Sequence, residues 1–208
     1  MDTLQKRRIG IMGGTFDPIH YGHLFIAECS RYKFNLESVM FIPAGEPVHK
    51  HRKVTVDAVH RLEMTRLAVH SNPFFSLSDI EVKRSGATYT VDTLEYLHKE
   101  CGHSVEFFFI TGADAIIEIL TWKDVTRVFQ LCQFIAVTRP GYSFEKMNDV
   151  LTSLDPGFRR KIHIHETSGI MVSSTEIRQS VAKGEPIRYL LPETVEEYIV
   201  NKALYKIN

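Results

Sequence analysis

The chain predicts an α/β fold: a doubly wound parallel sheet with helices on both faces. Two observations carry that expectation. Apolar or β-rich runs recur near residues 8–12, 38–42, 74–82, 105–110, 133–138 and 161–166, with helix-like stretches between them. Right-handed crossovers turn such an alternation into parallel strands covered by helices. The run Val105-Glu106-Phe107-Phe108-Phe109-Ile110 carries bulky residues at consecutive positions, as a central strand buried on both faces requires. In a Rossmann-like sheet of this kind ligands lie beyond the carboxyl ends of the strands, so function is expected in the loops that follow them.

The first apolar run, Ile9-Gly10-Ile11-Met12, leads into Gly13-Gly14-Thr15-Phe16-Asp17-Pro18-Ile19-His20-Tyr21-Gly22-His23, and Leu24-Phe25-Ile26-Ala27 then begins a stretch without breakers. This is a strand-to-helix junction. Its glycines can take φ > 0 and let a ligand approach the backbone, while the unpaired N–H groups and positive dipole end of the helix favour a phosphate. His20 and His23, three residues apart, can face the same side as phosphate ligands. Alternatively they form a metal site or are two surface residues. Gly22 between them removes a side chain that would keep a flat group, such as a nucleobase, from the helix.

The second run, Val39 to Ile42, enters a loop in which Pro43, Gly45 and Pro47 precede a basic tip where Lys50 can reach a phosphate; residues 43–56 are the best candidate for a mobile loop. Asp57 is placed to cap a helix bearing Ala58, Leu62, Thr65 and Val69 on one face. Thr90 is placed to cap another, with Val91, Leu94, Leu97 and Cys101, ended by Gly102. The central strand ends in Thr111-Gly112-Ala113-Asp114, where a carboxylate can bind a ribose hydroxyl or simply cap the short helix that follows. Near the end, Ser173-Ser174-Thr175-Glu176-Ile177-Arg178 has the Ser-x-x-Glu spacing of a capping box. Its hydroxyls, first-turn N–H groups and Arg178 form a second anion cradle, and two cradles together argue for a polyphosphate.

Composition narrows the classes. With 208 residues, 44% of them hydrophobic, the chain suits one domain over 1–208 with a small helical part from about 173. Its 25 basic and 25 acidic residues cancel, so no global field gathers nucleic acid or an anionic membrane, and His49-Lys50-His51-Arg52-Lys53 is only a local basic run. Cys29, Cys101 and Cys132 are widely spaced without Cys-x-x-Cys pairs, which suits thiols in a reducing cytoplasm. No run approaches the length of a membrane span.

The junction resembles the Thr-x-Gly-His or His-x-Gly-His signature of the nucleotidyltransferase superfamily. Over almost its full length the chain resembles the bacterial nicotinate-nucleotide adenylyltransferases. The resemblance rests on Gly13 to His23, Pro43 to Lys50, Asp79-Ile80-Glu81 with Arg84 and Gly86, and Thr88 to Leu94. It continues through Gly112-Ala113-Asp114, Trp122-Lys123, Arg139-Pro140-Gly141 and Ser173 to Arg178. It implies an enzyme of NAD synthesis that joins ATP and nicotinate mononucleotide, with Mg²⁺ carried on the ATP phosphates. It implies catalytic roles for His20, His23, Lys50 and Arg178. ATP would be bound by Gly13, Gly14, Thr15, Phe16, His20, His23, Gly112, Asp114, Ser174, Thr175 and Arg178. The mononucleotide would be bound by Thr15, Lys50, Thr88, Tyr89, Thr90 and Trp122. Sister enzymes acting on nicotinamide mononucleotide or phosphopantetheine, a nucleotide-binding module without turnover, and a homo-oligomeric state all remain open on the residues alone.

Overall fold

A computed structural model describes residues 6–47, 56–139 and 141–206. The order is β1 (Arg7–Gly14), α1 (Tyr21–Lys33), β2 (Ser38–Pro43), β3 (Glu46–Pro47), α2 (Ala58–Val69), β4 (Phe75–Leu77), α3 (Ile80–Lys83), β5 (Ala87–Thr88) and α4 (Thr90–Cys101). Then follow β6 (Val105–Gly112), α5 (Ala113–Ile117), α6 (Val125–Leu131), β7 (Cys132–Thr138), α7 (Glu145–Ser153), α8 (Pro156–Arg159), β8 (Ile162–Glu166), α9 (Ser174–Lys183) and α10 (Glu193–Asn201). Six strands form one sheet in the order β4-β2-β1-β6-β7-β8. The winding therefore reverses between β1 and β6, as the expected doubly wound fold requires. Parallel pairing sets Ile9 opposite Phe107, Phe109 opposite Phe134 and Ile135 opposite His163.

The expected strand over 74–82 is cut to Phe75–Leu77. After Ser78, whose N–H donates to the Phe41 carbonyl, the chain turns into α3, closed by an Asp79–Lys83 ion pair four residues apart at 2.8 Å. The β3–β5 ladder pairs Glu46 with Ala87 and Pro47 with Thr88, too short for any periodicity to announce it. Asp57 stands at the N-cap of α2, but without a side-chain cap bond, and Tyr89 rather than Thr90 occupies the N-cap of α4. Gly102 ends α4 at φ 67°, a left-handed conformation that glycine adopts without strain.

The residues gather into two compact units built from interleaved segments. The first comprises residues 1–13, 27–39 and 89–169. Its core is aromatic and β-branched: Ile9, Ile11, Phe107, Phe108, Ile110, Phe129, Phe134 and Ile135 are all buried. The α4 residues Val91, Leu94 and Leu97 are buried with them, and His98 Nε2 meets the Leu131 carbonyl at the end of α6 at 2.7 Å. A polar chain crosses four strands of this unit. Arg8 lies 3.7 Å from Glu106 and 4.5 Å over the Phe108 ring, Gln133 bonds Glu106, and His163 bonds Gln133. His163 and His165 both pack on the Phe34 ring.

The second unit comprises residues 14–26, 40–88 and 170–208. In α2 the buried stripe is Arg61, Met64, Thr65, Ala68 and Val69, rotated from the expected face, because an arginine and not Leu62 is turned inward. Arg61 is only 1% exposed. Its Nη1 donates to the carbonyls of Thr15 (2.8 Å) and Ala44 (2.6 Å), and its Nη2 to that of Gly45 (2.8 Å). One planar fork thus ties the turn after β1 to the loop after β2, a geometry an ammonium cannot reproduce. On α2, His60 meets the Tyr198 hydroxyl of α10 at 2.9 Å.

Arg61→Ala removes the Arg61 bonds to the Thr15, Ala44 and Gly45 carbonyls from the interior and is expected to lower unfolding free energy by about 3–5 kcal/mol, read from urea denaturation; Arg61→Lys recovers only part of it. The two histidines predict a pH dependence. Burial lowers both from the ordinary value of 6.5, helped at His163 by Arg8 against the opposing pull of Glu106, and at His165 by Lys33. The unfolded chain therefore takes up protons that the folded one resists. Their contribution is complete above that ordinary value and is lost as pH falls below it. Denaturation at pH 7.5 and 5.5 is expected to show this drop, reduced in a His163→Gln/His165→Gln variant.

Candidate active site

Within the second unit the chain leaves β1 through a turn whose strain falls on an unexpected residue. None of Gly13, Gly14 and Gly22 has positive φ; Phe16 does, at 50°. A bulky residue in the left-handed region costs on the order of 1–3 kcal/mol and persists only where its surroundings impose it. Here they do: the Phe16 ring is 2% exposed, meets His23 edge-on at 5.1 Å, and lies 6.0 Å from Phe41. The glycines serve by lacking a Cβ. One at Gly14 would stand 3.0 Å from the Phe16 ring, and one at Gly22 would stand 3.0 Å from the His20 ring and 3.2 Å from Val172. Gly22 thus makes room for the His20 ring and for Val172.

The two imidazoles stack, with ring centroids 3.8 Å apart and planes inclined by 28°. His20 is 6% exposed, and its backbone N–H donates to His23 Nδ1 at 3.3 Å. An Nδ1 that accepts cannot carry the proton, so neutral His23 holds its hydrogen on Nε2, as a donor. The first turn of α1 begins at this pair, where the His23 N–H reaches the His20 carbonyl at 3.0 Å.

The other helix start, at α9, forms the expected capping box. Ser173 Oγ accepts from the Glu176 N–H at 3.2 Å, and Glu176 Oε2 accepts from the Ser173 N–H at 2.9 Å. With Ser173 committed to the cap, the next residues turn to the signature loop. Ser174 Oγ donates to the Pro18 carbonyl at 2.8 Å; Arg178 Nη1 donates to the Asp17 carbonyl at 2.7 Å and Nη2 to Thr175 Oγ1 at 3.2 Å. The two helix starts therefore share one neighbourhood, presenting imidazole, guanidinium, hydroxyl and amide N–H groups. Asp17 lies beneath them, 4% exposed, with Oδ1 accepting from the Tyr205 phenol at 2.8 Å and Oδ2 4.0 Å from Arg178. Burial first, and then the charge of Asp17, pushes the Tyr205 pKa far above the ordinary phenol value, so it remains a donor.

Of the residues expected from sequence, Gly14, Thr15, Phe16, His20, His23, Ser174, Thr175 and Arg178 belong to this unit, as does Thr88. Thr88 Oγ1 donates to the Glu46 carbonyl at 3.4 Å, beside a loop so close that a Cβ on Gly45 would stand 2.2 Å from the Glu81 carbonyl oxygen. Lys50 lies outside the described residues.

Gly13, Tyr89, Thr90, Gly112, Asp114 and Trp122 belong to the first unit. There Gly112 is the N-cap of α5 and Asp114 its second residue, exposed. Lys123 sits 4.4 Å over the Tyr89 ring while bonding Asp92, and Trp122 packs edge-on to Phe109 and Phe134. Among the described residues no group of three or more His, Cys, Asp and Glu is placed to hold a metal, and no helix is long and apolar enough to cross a membrane.

Sequence reasoning passed over Arg61, Asp17 as a buried hub, and Tyr205. Only Arg61 left a trace: it stands three, four, seven and eight residues before Met64, Thr65, Ala68 and Val69, and so lies on an apolar stripe.

Residues 11–180 match the model of the cytidylyltransferase-like family. The chain is 50% identical over 199 residues to a probable nicotinate-nucleotide adenylyltransferase of Moorella thermoacetica, covering 96% of this chain and 92% of that one. It is 48% identical to one of Thermoanaerobacter, covering 97% and 96%. In fold it is similar to the Plasmodium falciparum nicotinic acid mononucleotide adenylyltransferase complexed with NaAD, with a TM-score of 0.74 at 20% identity over 97% of this chain and 98% of that one. With a signature turn, a capped second helix start and relatives of this identity along nearly its whole length, the chain belongs to the nicotinate-nucleotide adenylyltransferase family.

Proposed function

We propose that the two helix starts of the second unit clasp the triphosphate of ATP while the 5′-phosphate of nicotinate mononucleotide attacks. The products are nicotinate adenine dinucleotide and pyrophosphate, and the reaction belongs to NAD biosynthesis. The observation that carries this reading is the joining of the loop before α1 to α9 through Ser174–Pro18 and Arg178–Asp17, with His20 stacked on His23 at the same turn. In the transfer a phosphate oxygen of the mononucleotide forms a bond to the α-phosphorus. The bond from that phosphorus to the bridging oxygen breaks, and pyrophosphate leaves with the electron pair. The attacking oxygen is already ionised at neutral pH, so no protein nucleophile is required. The residues serve to bring two polyanions together and to meet the charge that builds on the leaving group.

His23, protonated on Nε2, is a ready donor to such an oxygen; Arg178 adds a fixed charge, and the N–H groups at both helix starts add partial ones. A donor set of N–H, imidazole and guanidinium suits phosphate oxygens better than a bare hard cation. Mg²⁺ therefore fits as a passenger on the ATP phosphates, where it supplies charge neutralisation. Asp114, exposed in the first turn of α5, is assigned to the ribose, with Gly112 beside it. Thr88, Tyr89, Thr90 and Trp122 are assigned to the mononucleotide, and Lys50 to its phosphate.

Three measurements test this. ATP–Mg²⁺ offered separately with nicotinate mononucleotide, nicotinamide mononucleotide and phosphopantetheine is expected to release pyrophosphate fastest with the first; equal or faster release with another reassigns the substrate. His20→Ala is expected to lower kcat by about 10²-fold or more while changing mononucleotide affinity little; equal losses contradict the assignment. Asp114→Ala is expected to raise the KM for ATP about tenfold with an unchanged thermal midpoint; a shift in the midpoint alone returns Asp114 to a structural role.

A further inference from the structure

Beside Tyr89 and Trp122, two residues assigned to the mononucleotide, the first unit holds a cation that the phosphoryl transfer does not use. Lys123 Nζ lies 4.4 Å from the centre of the Tyr89 ring, well inside the reach of a cation–π contact. Asp92, in the first turn of α4, accepts from the same ammonium at 3.3 Å through Oδ1 and 3.2 Å through Oδ2. Both distances exceed the about 2.7–2.9 Å of a strong charge-assisted bond. The two side chains are 49% and 36% exposed, and an ion pair so open to water holds its partners weakly. An ammonium also carries three donors, so Lys123 can take a second carboxylate at little cost to the first.

The chain around Lys123 fixes where that charge stands. Trp122 closes the short 3₁₀ turn Ile119–Thr121, with its ring edge-on to Phe109 at 5.7 Å and to Phe134 at 6.0 Å. Asp124 follows at φ 46°, a left-handed conformation that aspartate tolerates, and its side chain accepts from the Arg127 N–H at 3.3 Å to start α6. Arg127 bonds Glu95 of α4 at 2.9 Å, so α6 and the residue before its cap are laced to α4 by two ion pairs. Two amides of this turn are spent on its own carbonyls: Thr121 N–H donates to Glu118 at 2.9 Å and Trp122 N–H to Ile119 at 3.1 Å. A carboxylate arriving beside Trp122 thus meets the Lys123 charge and not those two amides.

We infer that Lys123 is a specificity-determining residue: its ammonium, held against the Tyr89 ring, receives the pyridine carboxylate of the mononucleotide and so favours the acid over the amide. The inference rests on the reading of Tyr89 and Trp122 as mononucleotide residues. Nicotinate and nicotinamide mononucleotides differ only in that one group, negative in the first and neutral in the second, so a single charge beside it separates them. Asp92 keeps the ammonium in place before the substrate arrives, and the carboxylate then shares it.

The test uses the full chain, with Lys123→Gln and Lys123→Arg checked for folding by circular dichroism. Pyrophosphate release from ATP–Mg²⁺ is followed with each mononucleotide in turn, and the affinity for each is read from the emission of Trp122, the only tryptophan in the chain. Lys123→Gln is expected to raise the KM for nicotinate mononucleotide about tenfold with kcat within about twofold. The affinity for nicotinamide mononucleotide is expected to shift by no more than about twofold, and Lys123→Arg, which keeps the charge, recovers most of the loss. Equal losses with both mononucleotides, as a packing role for Lys123 gives, or an unchanged KM for the acid, overturn the inference. If saturating nicotinate mononucleotide leaves the wild-type emission unchanged, the reading of the pocket fails, and the inference fails with it. If the emission is quenched while Lys123→Gln keeps the full preference for the acid, only the role of Lys123 fails.

Discussion

The polar interior of the second unit is organised by a single requirement: main-chain carbonyls of the signature turn and the neighbouring loop must find donors. Arg61 meets most of it. One side chain supplies donors to Thr15, Ala44 and Gly45, and Ser174 and Arg178 supply Pro18 and Asp17. Burial lowers the Arg61 pKa, with Asp17 the leading group that pushes it back up. The charge of Asp17 thus helps keep an arginine ionised in a site nearly closed to water.

That internal support explains why the turn can hold Phe16 in a conformation it would not choose alone. Its ring lies among His23 and Phe41, and the backbone strain is balanced by aromatic burial. The His23 imidazole is then fixed twice, by the Phe16 edge and by the His20 amide at its Nδ1. Orientation and tautomer come from the same local packing. The helix starts differ in kind. At α9 a capping box releases Ser174 and Thr175 from capping duty, whereas at α1 the His20 carbonyl opens the helix and its amide holds a neighbour's ring.

Much of this was legible because it is local. The strand before Gly13, the helix after His23, the capping box at Ser173 and Glu176, and the aromatic central strand are each written in a few adjacent residues, where chain geometry decides the outcome. The sign of φ was not legible. Glycine was expected to take the left-handed position, and the structure assigns it to Phe16, because ring packing outside the turn outweighs intrinsic preference. Nor was the inward turn of Arg61, whose carbonyl partners lie 16, 17 and 46 residues away. Tyr205 left no trace at all, since its partner stands 188 positions earlier and nothing near a lone tyrosine indicates a distant carboxylate. The shortened β4 and the β3–β5 ladder were missed for a related reason: two- and three-residue elements are fixed by neighbours rather than by a repeat.

The interleaving of the units bears on synthesis at the ribosome. Asp17 emerges 188 residues ahead of Tyr205, an interval of roughly ten to forty seconds at translation rates of about 5–20 residues per second. For most of that interval the segment 14–26 has been made while its partners in 170–208 have not, so the nascent signature loop waits with its carboxylate and carbonyls still hydrated. The first unit, whose segments end at residue 169, is fully translated sooner. The second unit is thus the later of the two to have all its segments made.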